Sequence, residues 1–246
     1  MGIDFAFIHG GGQGAWVWDE TIRALTAQSD GQPVRTLALD SPGCGAKRDR
    51  SIVALTLDDV ADELIRDIEA VGLNRPVLVG HSQGGQVMSL MLERRPDLFA
   101  RAVYVSCSIP LPGQSVQEML GTGVHGSEPD KVGWPFDPSQ GRPADHYATM
   151  FCNDMTAEQQ AAFLAKLGND AWPLSTYAFT DWRFDHHGTV PATFIVCLRD
   201  NILPAHWQER FAERFVAERI VRIDAGHQAM NTRPHTLAEI LRHEID

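Results

Sequence analysis

The pentapeptide Gly-His-Ser-Gln-Gly at residues 80–84 is the strongest chemical signal in the sequence. An apolar run, residues 77–80, leads into it, and the helix-like stretch 84–95 follows. In such a strand–turn–helix, glycines permit a turn too tight for side chains at the flanking positions, and the serine hydroxyl is raised above the sheet. A pentapeptide that matched this motif by chance would seldom have both an apolar strand before it and a helix after it. We therefore predict that Ser82 is a nucleophile.

A serine hydroxyl is a weak nucleophile until a base removes its proton, so a histidine must reach Ser82 from a later loop. His227 is the predicted base, because it follows the last apolar run and precedes the last helix. The chain order serine, acid, histidine favours the same residue. Five other histidines lie in helices or in an irregular segment and are interpreted as structural: His125, His146, His206, His235 and His243.

The histidine needs a carboxylate that fixes its tautomer and stabilises the imidazolium. Asp200 is the predicted acid, because it ends the apolar run 193–198 and lies between the serine and the histidine. Asp181 and Asp185 precede that run, and Asp224 is too close to the histidine in sequence to orient it across loops.

Acyl transfer also requires N–H donors for a developing oxyanion, normally from the residue after the nucleophile and from the loop after an early strand. Gln83 would supply the first donor. Gly11, in the His-Gly-Gly-Gly run 9–12, would supply the second. This run lacks the Lys-Ser/Thr of a phosphate-binding loop and the spacing of a dinucleotide fingerprint, which argues against a nucleotide site.

The elements that must position these residues form an alternating pattern. Apolar runs typical of buried parallel strands occupy 5–9, 34–40, 77–80, 102–106, 193–198 and 220–223. Helices are predicted at 57–71, 84–95, 204–215 and 234–245. The sequence thus predicts an α/β fold with a mostly parallel open sheet, helices on both faces, and chemistry at the carboxyl ends of the strands.

Residues 107–187 interrupt this pattern, because they are rich in glycine and proline and contain Trp134, Trp172 and Trp182. We predict that they form an inserted helical cap on a core made of 1–106 and 188–246. A helix is expected over 156–167, with Thr156 at its start. Large aromatic side chains are most often packing residues, but an apolar cap also lines pockets, and Trp134 is the candidate substrate contact.

Composition excludes several classes. With 43% hydrophobic and 22% charged residues in 246, one globular domain is expected. Twenty-one Lys and Arg against 32 Asp and Glu give a net charge of −11, which disfavours nucleic acid and anionic membranes as partners. No apolar run is long enough to span a bilayer, and no secretory signal precedes the first strand, so a cytoplasmic protein is expected.

Metal and disulfide sites are also not expected. The four cysteines are widely spaced and have no CxxC pair, which favours free thiols. His186-His187 and the pair His146 and Cys152 lack zinc-ligand spacing. The sequence leaves the oligomeric state open, and a homodimer is compatible with it.

These motifs resemble the α/β-hydrolase superfamily over almost the whole chain. Residues 9–16 are similar to the His-Gly-x-x-x-Gly-x-Trp motif of a branch that contains plant methylesterases, hydroxynitrile lyases and bacterial pyrethroid-type esterases. Residues 195–204 and 226–230 are similar to the acid and histidine loops of that branch. Gly10 and Gln228 depart from the threonine and lysine of the lyases, which disfavours cyanohydrin cleavage.

The resemblance implies a triad of Ser82, His227 and Asp200 with Gly11 and Gln83 as oxyanion donors. We therefore expect a cofactor-free serine hydrolase of small, hydrophobic carboxylic esters or lactones. The same residues also serve lactonases, carbon–carbon hydrolases and cofactor-free dioxygenases, and fold alone does not separate these activities. A ligand receptor built on a hydrolase scaffold is a further alternative.

Overall fold

A computed structural model describes residues 3–28 and 33–244, and its centre is a parallel β-sheet of six strands. The strand order is β2-β1-β3-β4-β5-β6, and every neighbouring pair is parallel. The strands are β1 (Ile3–Ile8), β2 (Val34–Leu39), β3 (Val77–His81), β4 (Arg101–Val105), β5 (Ala192–Cys197) and β6 (Arg219–Ile223). The predicted α/β class and parallel sheet are confirmed, and each predicted strand boundary is within two residues.

Ten α-helices connect or flank these strands in the described residues. Six accompany the sheet: α1 (Asp19–Ala27), α2 (Leu57–Val71), α3 (Gly84–Arg94), α8 (Ala205–Arg214), α9 (Ala229–Thr232) and α10 (Pro234–Arg242). Right-handed crossovers place α1 on one face of the sheet and α2 and α3 on the other, because the strand order reverses direction after β2. In agreement, α1 packs against α10, and α2 packs against α3.

The helices predicted from the sequence are present, and α2 has the predicted boundaries. Its Thr56 side chain accepts the Asp59 N–H, and the Asp59 carboxylate accepts the Thr56 N–H, which fixes the first turn. Helix α10 ends at Arg242, before the predicted end at residue 245, and the described residues 243 and 244 form a turn. Residue 245 and the predicted domain limits 1 and 246 lie outside the described residues. Helix α1 was not predicted, because the sequence signals for it are weak. Its buried residues are only Thr21, Ala24 and Leu25, and its N-cap residue makes no side-chain hydrogen bond to the first turn.

The 107–187 segment between β4 and β5 contains the other four helices: α4 (Val116–Leu120), α5 (Pro143–Phe151), α6 (Ala157–Leu164) and α7 (Ser175–Ala178). Thr156 caps α6 as predicted, with Gln159 completing the reciprocal pair of hydrogen bonds. Apolar residues of the segment, among them Phe151 and Trp172, belong to the same buried cluster as the strands. The segment is therefore packed onto the sheet.

All four cysteines are buried and free, as predicted. Within residues 3–28 and 33–244, no helix combines the length and apolar character that crossing a bilayer requires.

Candidate active site

The sharp turn between β3 and α3 holds Ser82 in the left-handed backbone region, with φ +52°. This conformation is costly for a residue with a Cβ atom and persists only when the surroundings enforce it. Close packing accounts for the neighbouring glycines: a Cβ at Gly80 would lie 2.1 Å from Met88 Sδ, and one at Gly84 would lie 3.0 Å from the His9 carbonyl oxygen. The predicted turn is thus present, and it is crowded on both sides.

His227 and Asp200 form a buried pair at the same edge of the sheet. His227 Nδ1 lies 2.6 Å from Asp200 Oδ2, and both side chains are almost fully buried. The other carboxylate oxygen, Oδ1, accepts the N–H groups of Ile202 and Leu203 at 2.7 and 2.9 Å. Because the carboxylate accepts from Nδ1–H, the neutral ring keeps Nε2 unprotonated, as a general base requires.

His227 Nε2 has no hydrogen-bond partner among residues 3–28 and 33–244, and no hydrogen bond joins it to the Ser82 hydroxyl. The two residues are nevertheless linked through His81, which directly precedes the serine. His81 Nε2 donates to the His227 carbonyl oxygen at 2.9 Å, and the two imidazole rings have centroids 4.5 Å apart. In ligand-free structures, hydrogen bonds between a nucleophile and its base are often open and close only with substrate.

His81 is itself a neutral ring in the core. Burial and the neighbouring His227 ring lower the pKa of His81 well below its usual range. Its Nε2 carries the proton that the His227 carbonyl accepts, so the ring places no positive charge beside the candidate base.

Ser106 was not identified as a site residue, but it contacts the acid–base pair directly. It follows β4 with φ +42°, and its hydroxyl donates to Asp200 Oδ2. The same oxygen atom, Ser106 Oγ, lies 3.4 Å from His227 Nδ1. One sequence feature could have identified Ser106: it directly follows a buried strand, at the edge of the sheet where the predicted site lies.

The candidate oxyanion donors Gly11 and Gln83 line the same cavity as Ser82. Neither backbone N–H donates to a protein acceptor within the described part of the chain. The Gln83 side chain is held at the edge of this site, because its Nε2 donates to Thr176 Oγ1 at 3.1 Å. Both amides are therefore available to a bound ligand.

His9 holds the loop that carries Gly11. The Ser41 N–H donates to His9 Nε2 at 3.2 Å, so the ring proton is on Nδ1, which donates to the Gly10 carbonyl oxygen at 2.8 Å. Trp172 Nε1 donates to the same carbonyl at 3.2 Å. Complete burial lowers the pKa of His9, so the ring stays neutral and its two hydrogen bonds persist near neutral pH.

A cavity of about 410 Å³ opens beside Ser82. Its walls are mostly apolar and come largely from the 107–187 segment: Val116, Leu120, Trp134, Met150, Phe151, Leu167, Trp172 and Leu174. Trp134 is part of this wall, and its indole Nε1 donates to the Gly121 carbonyl at 2.9 Å. Trp182 does not line the cavity and instead donates to the Gln114 carbonyl oxygen at 2.8 Å.

The carboxylates that sequence reasoning set aside lie elsewhere. Asp181 pairs with Arg183 at 3.0 Å, and the exposed Asp224 pairs with Arg199 at 2.7 Å. Of the adjacent histidines, His187 Nε2 accepts from the Ser89 hydroxyl at 2.8 Å, and its Nδ1 donates to the Arg214 carbonyl at 2.6 Å. These groups make structural contacts away from Ser82.

Two residues of the 107–187 segment bind the loops that carry Asp200 and His227. Asn153 Nδ2 donates to the carbonyl oxygen of Arg199 at 2.6 Å, and Asp154 Oδ2 accepts the N–H of Gly226 at 2.9 Å. Arg199 and Gly226 directly precede Asp200 and His227. We refer to Asn153 and Asp154 as the loop clamp.

Comparisons with known proteins cover most of the chain. A family model described as the alpha/beta hydrolase family matches residues 5–240. Probable esterase PIR7A from Oryza sativa subsp. indica is 35% identical over 130 residues, which are 52% of this chain and 48% of the rice protein, so the match spans about half of each. Methylesterase 10 from Arabidopsis thaliana is 26% identical over 252 residues, 97% of this chain and 90% of that protein. A solved pyrethroid hydrolase from Sphingobium faniae JZ-2 has a TM-score of 0.79 at 20% identity, covering 99% and 97%.

Proposed function

Since the chain belongs to the alpha/beta hydrolase family, we propose that it is a cofactor-free serine hydrolase of small, hydrophobic carboxylic esters. The observation that carries this proposal is the buried pair of His227 and Asp200, 2.6 Å apart, at the strand edge where the strained turn presents Ser82. The esterase and methylesterase names of the rice and Arabidopsis relatives support the same reaction class.

In the proposed reaction, Ser82 Oγ attacks the ester carbonyl carbon while His227 Nε2 takes the hydroxyl proton. Asp200 stays ionised and stabilises the imidazolium, and the Gly11 and Gln83 amides donate to the oxyanion. Collapse of this intermediate breaks the C–O bond, and the imidazolium protonates the departing alcohol. Water, deprotonated by His227, then attacks the acyl-serine, and the acid leaves as Ser82 recovers its proton.

The cavity supports the substrate class. Its volume of about 410 Å³ suits a small molecule, and its apolar walls favour a hydrophobic acyl or alcohol group. Because most of these walls belong to residues 107–187, we also propose that this segment acts as the cap that selects the substrate. Trp134 would contact the bound ester through its ring, since its Nε1 is already used by Gly121.

Cyanohydrin cleavage is a poorer account of the site, because Gly10 stands where the hydroxynitrile lyases that the motif resembles have a threonine. A Cβ at Gly10 would lie 3.0 Å from the Cβ of Ser82, so a larger side chain at that position would crowd the nucleophile. Lactone hydrolysis uses the same steps as ester hydrolysis and belongs to the same proposal.

Labelling with a fluorophosphonate tests the proposal, because the reagent reacts only with an activated serine. We expect intact-mass analysis to give one adduct on the wild type and none on Ser82→Ala. Ser89→Ala is the matched control, since Ser89 is also hydrogen-bonded to a histidine but lies outside the cavity. It should keep the adduct. An unlabelled wild type would overturn the proposal and direct attention to oxygen uptake or ligand binding.

A further inference from the structure

Two polar side chains in the wall of the cavity have no part in the proposed reaction. Gln86 lies in the first turn of α3, four residues after the nucleophile, and Ser108 follows β4. Both line the cavity that Ser82 lines, and they are only 1% and 5% exposed. Most of the other side chains that line the cavity are apolar, so the pair places polar groups in a mostly apolar pocket.

The hydrogen bonding of this pair is incomplete. Gln86 Nε2 donates to Ser108 Oγ at 3.2 Å, and Gln86 Oε1 has no hydrogen-bond partner among residues 3–28 and 33–244. The Ser108 hydroxyl accepts from the amide, and its own proton has no acceptor in the same part of the chain. With the amide reversed, the Ser108 hydroxyl would donate to the amide oxygen and the amide N–H group would lack an acceptor, so the pair needs a further partner in either orientation.

An unpaired buried amide oxygen destabilises a protein, whereas an apolar side chain at position 86 would remove that cost. The pair therefore suits a ligand that completes its hydrogen bonds. Gln86 Oε1 needs a donor and the Ser108 hydroxyl needs an acceptor, and a single hydroxyl group can satisfy both. For the amide as oriented here, a carboxylate offers no donor to the amide oxygen, and an ammonium group offers no acceptor to the serine. A hydroxyl group fits both orientations, because it also supplies the acceptor that a reversed amide would need.

We propose that Gln86 and Ser108 form a subsite for a hydroxyl group of the substrate, so that the protein selects hydroxylated esters over their deoxy analogues. This inference rests on the proposed function and narrows its substrate class. The subsite lies close to the nucleophile, because Gln86 is in the first turn of the helix after Ser82, and Ser108 follows β4, whose Val105 carbonyl accepts the Ser82 N–H at 3.2 Å. The hydroxyl therefore lies on the part of the ester close to the reacting carbonyl, and the apolar walls of residues 107–187 receive the rest.

A series of matched esters tests the proposal. The probes are p-nitrophenyl 3-phenylpropanoate and its analogues with one hydroxyl at carbon 2, at carbon 3 or at the para position of the ring. We expect wild-type kcat/KM to be at least about tenfold higher for the carbon-2 or the carbon-3 hydroxyl ester than for the parent, because a site built to bind a hydroxyl discriminates against its absence. The para-hydroxyl ester, whose hydroxyl is far from the carbonyl, should react like the parent. Gln86→Met should lower this ratio to about one or less.

Gln117→Met is the control, since it makes the same chemical change on an exposed residue of α4, and the ratio should stay as in the wild type. If Gln86→Met fails to give a native circular dichroism spectrum, Ser108→Ala replaces it and should lower the ratio in the same way. A wild type that shows no preference for the carbon-2 or the carbon-3 hydroxyl ester over the parent overturns the proposal, as does a ratio that survives in the folded variant.

Failure of the proposed function can be distinguished from failure of the subsite. Calorimetric titration of Ser82→Ala with the same esters measures binding without turnover. Tighter binding of a hydroxylated ester, lost when Gln86→Met is added, supports the subsite even if the wild type resists the fluorophosphonate. Equal binding of all four esters overturns it even if the wild type is labelled.

Discussion

At the scale of single residues, Asp200 accepts more hydrogen bonds than the orientation of one histidine requires. Its Oδ1 accepts two backbone N–H groups, and its Oδ2 accepts from both Ser106 and His227. These four donors fix the carboxylate in rotation and in plane. The direction of the His227 ring is therefore set by contacts that extend beyond the proposed triad.

We expect Ser106→Ala and Ser106→Gly to reduce kcat by about the same factor, roughly three- to tenfold, with little change in KM, since both remove one donor from Asp200. Their stabilities should differ. At φ +42°, alanine strains the backbone and glycine does not, so Ser106→Gly should be about 1 kcal/mol more stable than Ser106→Ala. Steady-state kinetics on a p-nitrophenyl ester and urea unfolding measure the two effects. Unequal kcat losses would mean that the backbone, and not the hydroxyl, determines activity.

Asp200→Asn should lower kcat about 10⁴-fold, because an amide at this position favours the wrong histidine tautomer. The matched control is Asp224→Asn, which changes an exposed carboxylate three residues before His227 that pairs with Arg199. Its kcat should stay within about twofold, since exposed ion pairs contribute little. If the two variants lost activity equally, the assignment of Asp200 as the acid would be wrong.

At the scale of elements, the sequence predicted what depends on local patterns. Ser82, Asp200 and His227 could be predicted as site residues because each lies in the turn or loop after an apolar strand, and parallel strands bring their carboxyl ends to one edge. Ser106 was missed because it resembles the last residue of such a strand, and its contact with Asp200 spans 94 positions in sequence. Asn153 was missed because nothing periodic surrounds it in a glycine- and proline-rich segment. Contacts of this kind depend on tertiary packing between distant segments, and a short stretch of sequence carries no information about it.

The loop clamp is the element-scale feature with the clearest expected effect. Asp154→Ala leaves the Gly226 N–H without its acceptor and removes a buried carboxylate that lies 3.7 Å from Arg199 and 3.8 Å from Arg233. We expect a loss of about 1–3 kcal/mol in the free energy of unfolding and a fall in kcat of about tenfold or more. Asp181→Ala, which breaks only an exposed pair, should change neither by a measurable amount. Loss of stability with full kcat would show that the clamp does not position His227.

At the scale of the whole molecule, buried neutral histidines make stability depend on pH. Burial lowers the pKa of His187 to about 4, although its hydrogen bond to the Arg214 carbonyl opposes this shift. In the unfolded chain this histidine takes up its proton near pH 6.5, so the unfolded state binds more protons between pH 6.5 and 4. Stability is then complete above pH 6.5 and decreases as the pH falls through this window.

We expect this one group to cost the wild type about 2 kcal/mol between pH 6.5 and 5, since each pH unit contributes about 1.4 kcal/mol for one proton. His187→Gln should lose correspondingly less over the same interval, whatever its stability at pH 7.5. Guanidinium chloride unfolding at pH 7.5, 6.5, 5.5 and 5 measures both curves. Parallel curves for the two proteins would contradict a neutral, partly buried His187.

The loop clamp also limits how this fold can be recombined. Most of the apolar walls of the cavity belong to one continuous stretch of chain, which makes residues 107–187 a natural segment for exchange between relatives with different substrates. Asn153 and Asp154, however, lie in the exchanged segment, whereas their partners Arg199 and Gly226 lie in the part of the chain that is kept. In a chimera whose new segment lacks these two side chains, we expect a new pocket but also a misaligned Asp200 and His227. Substrate range and catalytic competence are therefore inherited together in this chain, and a successful graft must keep both positions from the recipient.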